Sequence, residues 1–517
     1  MSKHSPIKGI RKMLNRRSFI ALLVIAQLVF IVAMLFRSYR LKWLETLLTV
    51  FSVVTALHLL MRRDKSAYKL SLVFLILLLP VFGGAFYWIF HFQTTSVGFR
   101  RRLAQLQRAS QNAYLLSEKE SDTAFKDAVE NHPENRKLLR YMNQSTPYPV
   151  YRNTETRYYP TGCEMLDDML QDLKNAKHYI FLEYFIIAPG VMWDSILDVL
   201  LERVKAGVDV RIIYDDLGCF LSLPSDYAKT LRSCGIQCML FNPFHPFLTS
   251  VQNNRDHRKI AVVDGKIAYT GGINLADEYI DAKIKHGKWK DSAIRLSGDG
   301  AWSFTVMFLQ IWSLLTKKAE DYEKYCPTET FPSPKTDGWV QPYTDSPMDK
   351  ENVGEHVYLQ IAEQAQNYLY ITTPYLTVND SMLAALELSA KSGVDVRIIT
   401  PEIPDKKAVH FTSRSYYRQL IRAGIKIYEY SGGFMHAKLF IADDTVATVG
   451  TTNLDFRSLY LHFECGTCLY RTSSIADIKK DYLQTLESCR QITEDDCKAN
   501  LFIKFCQSIC RIFAPLM

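Results

Sequence analysis

The feature that most constrains this chain is one pattern that occurs twice, far apart, with identical spacing. Each copy reads His-x-Lys-x4-Asp-x6-Gly-x2-Asn. The residues of the two copies are His257, Lys259, Asp264, Gly271 and Asn274, then His436, Lys438, Asp443, Gly450 and Asn453. With ordinary residue usage, such a pattern begins by chance about once in 10^7 positions. Two copies therefore indicate an internal duplication.

Each copy is predicted to form a β-hairpin. His257 and Lys259 share one face of a strand because side chains alternate along it, and the apolar residues 260–263 continue that strand. An aspartate then marks the turn, Asp264 in the first copy and Asp443 in the second. Although both aspartates belong to the motif, we expect them to support the turn and not to carry protons.

The repeated side chains suit the transfer of a phosphorus-containing group. One imidazole can attack phosphorus, while a second protonates the leaving oxygen. Lysine ammonium and asparagine amide groups can bind the non-bridging oxygens as their charge rises. One copy alone would be read as ordinary surface residues, but two copies brought together supply a complete site without a metal. The predicted catalytic set is His257, Lys259, Asp264, His436, Lys438 and Asp443, with Asn274 and Asn453 as phosphate ligands.

The duplication extends beyond the motifs. Residues 207–213 and 393–399 both read Gly-Val-Asp-Val-Arg-Ile-Ile, and residues 178–182 are echoed by residues 367–371. Each half reads strand, helix, strand, helix, strand, followed by the motif hairpin. Such alternation predicts α/β/α layers in each half.

The duplicated motif resembles that of the phospholipase D superfamily, in which both copies share one active site and one histidine becomes covalently phosphorylated. The resemblance runs over residues 151–487. It implies two tandem, pseudo-twofold-related α/β/α phospholipase D-like domains at residues 151–330 and 331–487. Within the superfamily, the cardiolipin synthases of bacteria look most similar, on the residues of segments 182–185, 214–218, 254–259 and 373–375.

This resemblance implies the roles of further residues. His257 would attack the phosphorus of one phosphatidylglycerol, and His436 would protonate the departing glycerol. In the family an acidic residue downstream of each motif orients the histidine ring, which fixes its tautomer. Asp291 suits His257 and Glu464 suits His436, although either could be a solvated acid at a strand end. No cofactor is implied, and no His/Cys/Asp cluster has the spacing of a metal site.

The N-terminal part predicts a membrane anchor over residues 1–92. Residues 18–36 and 70–90 lack charge and are long enough to span a hydrocarbon core. Residues 46–61 form a shorter apolar stretch that is either a third span or an interfacial or buried helix. Basic residues, and no small-residue cleavage site, follow the first span, which disfavours a signal peptide. A basic linker or cap is predicted at 93–150.

Charge and pattern indicate contact with lipid at both ends of the chain. The formal net charge is +8, and much of it flanks the predicted spans, which suits anionic lipids. No ladder of alternating aromatic and basic residues favours nucleic acid. Residues 488–517 predict a C-terminal amphipathic helix that lies on a membrane or packs on the catalytic part. The expected location is the cell membrane of a bacterium, multi-pass; loop charges leave its orientation open.

The resulting hypothesis is a membrane-bound enzyme of the cardiolipin synthase type, acting on phosphatidylglycerol. A hydrolytic phospholipase D, a nuclease or another phosphatidyltransferase of the superfamily is the first alternative, since water and a lipid hydroxyl can attack the same intermediate. A catalytically inactive membrane scaffold is the alternative from another class, and the two intact motifs argue against it. The sequence does not indicate an oligomeric state.

Overall fold

The computed structural model describes residues 42–62, 65–78, 87, 94–114, 118–243, 253–327, 338–349 and 351–516. The chain divides into two compact units. The first comprises Met1–Gln93 with Phe244–Gln252, and the second comprises Thr94–Pro243 with Asn253–Met517.

The first unit contains a pair of apolar helices, α1 (Lys42–Met61) and α2 (Ser66–Leu78). Buried Leu59 and Ile76 belong to the small apolar core of this unit. The predicted span 46–61 lies within α1, and the predicted span 70–90 is described only in part. The predicted span 18–36 lies outside the described residues. Across the described ranges, no helix combines the length and apolar character needed to cross a bilayer.

The second unit begins with helices that pack on the catalytic core. These are α3 (Thr94–Ala109), α4 (Glu118–Asn131) and α5 (Arg136–Ser145). Leu138, Leu139 and Met142 of α5 are buried in the same hydrophobic cluster as the two sheets. The segment predicted as a basic linker or cap is therefore largely helical, and α5 forms part of the core.

The first half of the repeat consists of mixed strands and helices. Its strands are β1 (Thr154–Tyr159), β2 (Tyr179–Tyr184), β3 (Asp209–Asp215), β4 (Gln237–Phe241), β5 (Arg255–Asp256), β6 (Lys259–Val263), β7 (Ile267–Gly271), β8 (Lys288–Lys290) and β9 (Ala293–Gly298). Its helices are α6 (Gly162–Lys174), α7 (Val191–Lys205), α8 (Tyr227–Ser233) and α9 (Gly300–Thr316).

The second half repeats this order. Its strands are β10 (Trp339–Asp345), β11 (Tyr368–Thr372), β12 (Asp395–Pro401), β13 (Lys426–Tyr430), β14 (Gly433–Met435), β15 (Leu439–Ala442), β16 (Val446–Gly450), β17 (His462–Tyr470) and β18 (Cys489–Ile492). Its helices are α10 (Val353–Gln364), α11 (Asp380–Lys391), α12 (Lys407–Arg422), α13 (Phe456–Tyr460), α14 (Ser474–Glu487) and α15 (Leu501–Phe513).

The strand order confirms the predicted duplication. The first sheet runs β1-β9-β7-β6-β2-β3-β4, and the second runs β10-β17-β16-β15-β11-β12-β13-β18. The first seven strands follow the same path in both sheets, with three parallel strands next to the antiparallel motif hairpin, and β18 is added at the edge of the second sheet. Both motifs therefore begin at equivalent positions of equivalent sheets.

One helix joins the two halves into a single core. Residues 300–314 of α9 are all buried, because this helix is apolar on every side and lies inside the protein. Side chains of α9 share one hydrophobic cluster with strands of both sheets. The two halves consequently form one compact unit with a common core.

Candidate active site

The motif aspartates hold the start of a neighbouring strand. The Asp264 carboxylate accepts hydrogen bonds from the backbone N–H groups of Lys177, His178 and Tyr179, each at 2.8 Å. Its backbone is left-handed, with φ of 52°. A strand rises about 3.3 Å per residue, so Asp264 lies at the opposite end of β6 from Lys259.

Asp443 repeats this arrangement in the second half. It accepts from the N–H groups of Gln366, Asn367 and Tyr368 at 2.7 to 2.9 Å, and its φ is 53°. These contacts are those expected of aspartates that support the turn. Each ties the motif hairpin to the parallel strand that precedes it in the sheet.

We therefore expect Asp264→Asn to act mainly on stability. Asparagine tolerates the left-handed backbone but turns one acceptor oxygen into a donor that faces the N–H of Lys177. The loss should be about 1–3 kcal/mol in free energy of unfolding, measured by denaturant titration. Asp495→Asn, on the surface, is the control. An inactive Asp264→Asn protein with an unchanged unfolding curve would contradict the supporting role.

Two short ladders connect the halves directly beside the motif histidines. Strand β5, which precedes His257, pairs with the start of β17, and the His257 N–H donates to the carbonyl of Phe463 at 2.9 Å. Strand β14, which precedes His436, pairs with β8, and the His436 N–H donates to the carbonyl of Lys290 at 2.7 Å. Each histidine is therefore attached by its backbone to the opposite half.

This crossing determines which acid orients which histidine. His257 Nδ1 lies 2.9 Å from Glu464 Oε1, and His436 Nδ1 lies 2.6 Å from Asp291 Oδ2. The predicted partners, Asp291 for His257 and Glu464 for His436, are wrong. Glu464 follows Phe463, and Asp291 follows Lys290. The carbonyls of Phe463 and Lys290 accept the backbone hydrogen bonds of the two histidines, so each histidine is paired with an acid of the opposite half. The alternative that these acids are solvated is also wrong, because both are buried.

The residue after the motif glycine differs between the two halves, and in each half it lies beside the orienting acid. The Thr451 hydroxyl donates a hydrogen bond to Glu464 Oε2. In the first half, a methyl group at Gly272 would lie 2.0 Å from Asp291 Oδ1, so only glycine fits there. The two halves thus hold their acids by different means.

Both motif lysines are buried between the histidines and the acids. Each ammonium donates to the carbonyl of the histidine two residues earlier. Burial lowers the pKa of Lys259 to about 7 and the pKa of Lys438 to about 8. Burial and the charge of Lys438 lower the pKa of His436 to about 4. Burial, followed by Lys259, lowers the pKa of His257 well below its ordinary value.

These shifts predict a loss of activity at alkaline pH. A lysine with a lowered pKa carries its charge below that pKa and loses it as the pH rises through 7 to 8. Less positive charge then faces the phosphate oxygens, so kcat/KM, which reports the free enzyme, should fall as the pH rises above about 7. Bound phosphate stabilises the charged lysines, so the fall in kcat should occur at higher pH. Lys259→Arg, which stays charged, should shift the alkaline fall in kcat/KM to higher pH. Equal kcat/KM values at pH 6 and pH 9 would contradict this assignment.

The two motif asparagines differ in their surroundings. Asn274 Oδ1 accepts from the N–H of Ile186 at 3.0 Å, and its amide nitrogen donates to the hydroxyl of Tyr279 at 2.7 Å. Asn453 is buried, and its Oδ1 has no hydrogen-bond partner within the part of the chain that is described. Phosphate binding by both amides remains a prediction.

His462 is a site residue that the sequence analysis did not single out. Its ring lies 5.5 Å from the ring of His257, centroid to centroid. His257, His462 and Glu464 offer ligand atoms within 4.8 Å of one another, close enough to hold a metal ion. Sequence spacing did not reveal this group because its members come from both halves. The sequence signal that could have found His462 is its place two residues before Glu464, an acidic residue on a strand.

Comparisons with known proteins agree with this arrangement. The sequence model of the family described as "Cardiolipin synthase, PLD-like domain" matches residues 169–284 and 358–487. A cardiolipin synthase of Alkalihalophilus pseudofirmus is 32% identical over 507 residues, which cover 98% of this chain and 99% of the relative. Cardiolipin synthase 2 of Bacillus cereus is 34% identical over 454 residues, covering 86% and 87%.

A solved structure shares the fold. Phosphatidylserine synthase of Haemophilus influenzae superposes with a TM-score of 0.55 at 16% identity, over 70% of this chain and 93% of that one. The resemblance inferred from the duplicated motif is confirmed by these matches. On the similarity that extends over nearly its whole length, the chain belongs to the cardiolipin synthase family.

Proposed function

We propose that this protein transfers a phosphatidyl group between two phosphatidylglycerol molecules and so forms cardiolipin and glycerol. The observation that carries the proposal is the pair of histidines, each bonded to a buried acid of the opposite half and each beside a buried lysine. This arrangement provides a nucleophile, an acid–base partner and two cations around one phosphate position. The relatives named cardiolipin synthase support the choice of substrate.

The proposed reaction has two steps. One imidazole, which the family resemblance implies is His257, attacks phosphorus through its Nε2, and the bond from phosphorus to the glycerol oxygen breaks as the protonated form of His436 gives that oxygen its Nε2 proton. His436 takes up this proton when the phosphate anion binds, because Asp291 and the charge of the phosphate both raise its pKa. The free hydroxyl of a second phosphatidylglycerol then returns a proton to His436 and attacks phosphorus, which breaks the P–N bond and restores His257. Glu464 and Asp291 fix the Nδ1 side of the two rings and leave Nε2 available.

We also propose that the enzyme works at the cell membrane. The apolar segments 18–36, 46–61 and 70–90 would anchor it. The C-terminal helix α15 packs on α12 through Arg511, whose guanidinium lies 4.1 Å from the ring of Tyr416. At the start of α15, Leu501, Phe502 and Phe505 are 84%, 73% and 63% exposed. These apolar side chains suit insertion into a lipid surface, so α15 would both pack and bind lipid.

The proposed binding of α15 to lipid predicts that substitutions in this helix change the ratio of cardiolipin to phosphatidic acid. A site held at the bilayer faces lipid hydroxyl groups at high local concentration, which favours transfer over hydrolysis by water. Phe502→Asp with Phe505→Asp should therefore weaken binding to phosphatidylglycerol vesicles and lower the ratio of cardiolipin to phosphatidic acid. The control is Lys498→Asp in the same region, which makes the same change in net charge and leaves the exposed apolar side chains of α15 in place. Unchanged vesicle binding and an unchanged ratio would show that α15 does not position the site.

One assay tests the proposed function itself. Purified full-length protein is given phosphatidylglycerol alone, and cardiolipin, glycerol and phosphatidic acid are measured. Equimolar cardiolipin and glycerol support the transferase. Phosphatidic acid as the main product would support the hydrolytic alternative, and no product at all would support the scaffold.

A further inference from the structure

The two halves of the site also differ at the position two residues before each orienting acid. Two residues before Asp291 stands Trp289, and two residues before Glu464 stands His462. Each ring lies beside a motif histidine: Trp289 is 5.3 Å from His436 and His462 is 5.5 Å from His257. This exchange of a tryptophan for a histidine gives the two sides of the site different hydrogen-bonding chemistry.

The side of His436 is aromatic and saturated in hydrogen bonds. Tyr279 and Phe434 flank the histidine at 5.6 and 5.7 Å. The Trp289 Nε1–H donates to the carbonyl of Lys285 at 2.5 Å, and the Tyr279 hydroxyl accepts from the Asn274 amide at 2.7 Å. This side is suited to an uncharged group such as glycerol.

The side of His257 also has an aromatic neighbour, Phe185 at 5.0 Å, but it differs in having unused hydrogen-bonding capacity. Both ring nitrogens of His462 are buried without a hydrogen-bond partner among the residues described. Glu464 Oε1 lies 3.8 Å from His462 Nδ1, too far for a hydrogen bond. Buried polar groups normally have partners, so two unpartnered nitrogens indicate a missing ligand.

The charges around His462 indicate the nature of that ligand. Burial and neighbouring cations lower the pKa of His462 well below its ordinary value. Those cations are Arg457, Lys259, Lys406 and Arg255. A neutral imidazole offers one donor and one acceptor. Although His257, His462 and Glu464 could hold a metal ion, the surrounding positive charge opposes a divalent cation and favours an anion.

We infer that His462, with Arg457 and Lys406, forms a second phosphate subsite that binds the phosphate of the acceptor lipid's glycerophosphate headgroup. This inference rests on the proposed function. In cardiolipin two phosphorus atoms are joined by one glycerol, so six bonds of about 1.5 Å keep them within about 8 Å of each other. A group adjacent to His257 is within that reach of the reacting phosphorus.

The two cations reach the subsite from different elements. Arg457 lies on α13, and its carbonyl accepts from the N–H of Leu461 at 2.9 Å, directly before His462. Lys406 follows β12, and its ammonium lies 4.9 Å from the ring centre of Tyr375. The Lys406 side chain is 62% exposed, and its ammonium lies 4.0 Å from the carboxylate of Asp405, a contact long enough for a bound phosphate to share the charge.

Two soluble acceptors that differ only in a phosphate test the inference. With phosphatidylglycerol as donor, labelled glycerol and labelled glycerol phosphate are offered separately, and incorporation of each label into lipid is measured. The variants are His462→Phe, which keeps a ring and loses both nitrogens, and Trp289→Phe, the matched change on the other side. Lys406→Met is a third variant, on a side chain that is mostly exposed.

In His462→Phe, incorporation of glycerol phosphate should fall about 10- to 100-fold relative to glycerol, because a hydrogen bond to a charged group is lost. Lys406→Met should lower the same ratio, and Trp289→Phe should not. The ratio cancels differences in the folded fraction. The ratio of cardiolipin to phosphatidic acid from vesicles should fall in parallel, which separates the lipid headgroup from free phosphate as the ligand.

Equal losses for both acceptors, or an unchanged ratio in His462→Phe and Lys406→Met, would overturn the subsite. A fall with glycerol phosphate but none with vesicles would overturn the assignment to the acceptor lipid. Failure of the unaltered protein to transfer to any acceptor would instead refute the proposed function.

Discussion

Replacing either motif histidine is expected to lower turnover by several orders of magnitude, about 10^4-fold or more for His257→Ala and for His436→Ala. One ring attacks phosphorus and the other moves the proton, so neither step proceeds without its partner. The double variant should be little worse than either single variant, because the two groups act as a unit. The measurement is the initial rate of cardiolipin and phosphatidic acid formation from phosphatidylglycerol.

The control for this experiment is mixing of the two inactive proteins. Both histidines come from one chain and are joined through β5 and β14 to the opposite half of that chain. Mixing His257→Ala with His436→Ala should therefore restore no activity. If either single variant keeps near-normal turnover, the shared site is wrong.

The motif hairpins could be predicted because their signals are local. The alternation at His257 and Lys259 and the turn at Asp264 predict a hairpin, and the structure has β6 and β7 at that place. The repeated Gly-Val-Asp-Val-Arg-Ile-Ile segments likewise predicted β3 and β12. Both depend on residues close in sequence, where period and turn chemistry decide the structure.

The partners of the histidines could not be predicted in the same way. Glu464 was assigned to His436 because it follows that residue in sequence, yet it bonds His257. The pairing depends on how two halves pack, and the register between β5 and β17 leaves no periodic trace in either segment. A pseudo-twofold site naturally exchanges such partners, since each half contributes to the other's histidine.

The helix before the first strand shows a related difference. The sequence predicts a basic linker or cap at residues 93–150. In the structure Leu138 and Met142 are fully buried against the sheets. Their spacing of four residues on α5 is the ordinary signal of an amphipathic helix.

The two buried motif lysines lower the stability of the fold but supply charge that the reaction needs. Lys259 and Lys438 are each 1% exposed, and burial lowers the pKa of both because the charged form is poorly solvated there. Such groups are unfavourable for stability unless a counter-charge compensates them. An apolar residue of similar length should therefore be tolerated by the fold while removing the charge that phosphate needs.

Lys259→Met and Lys438→Met are accordingly expected to be inactive but stable. Each should lose about 10^2- to 10^3-fold in kcat, the effect of removing one donor from charge that develops in the transition state. The melting temperature should stay the same or rise, since a buried charge is removed. Lys480→Met, at an exposed position of α14, is the control for the effect of methionine itself. A loss of less than tenfold would show that the lysines do not face the phosphate. A large fall in melting temperature would show instead that the ammonium groups hold the site together, through their bonds to the carbonyls of His257 and His436.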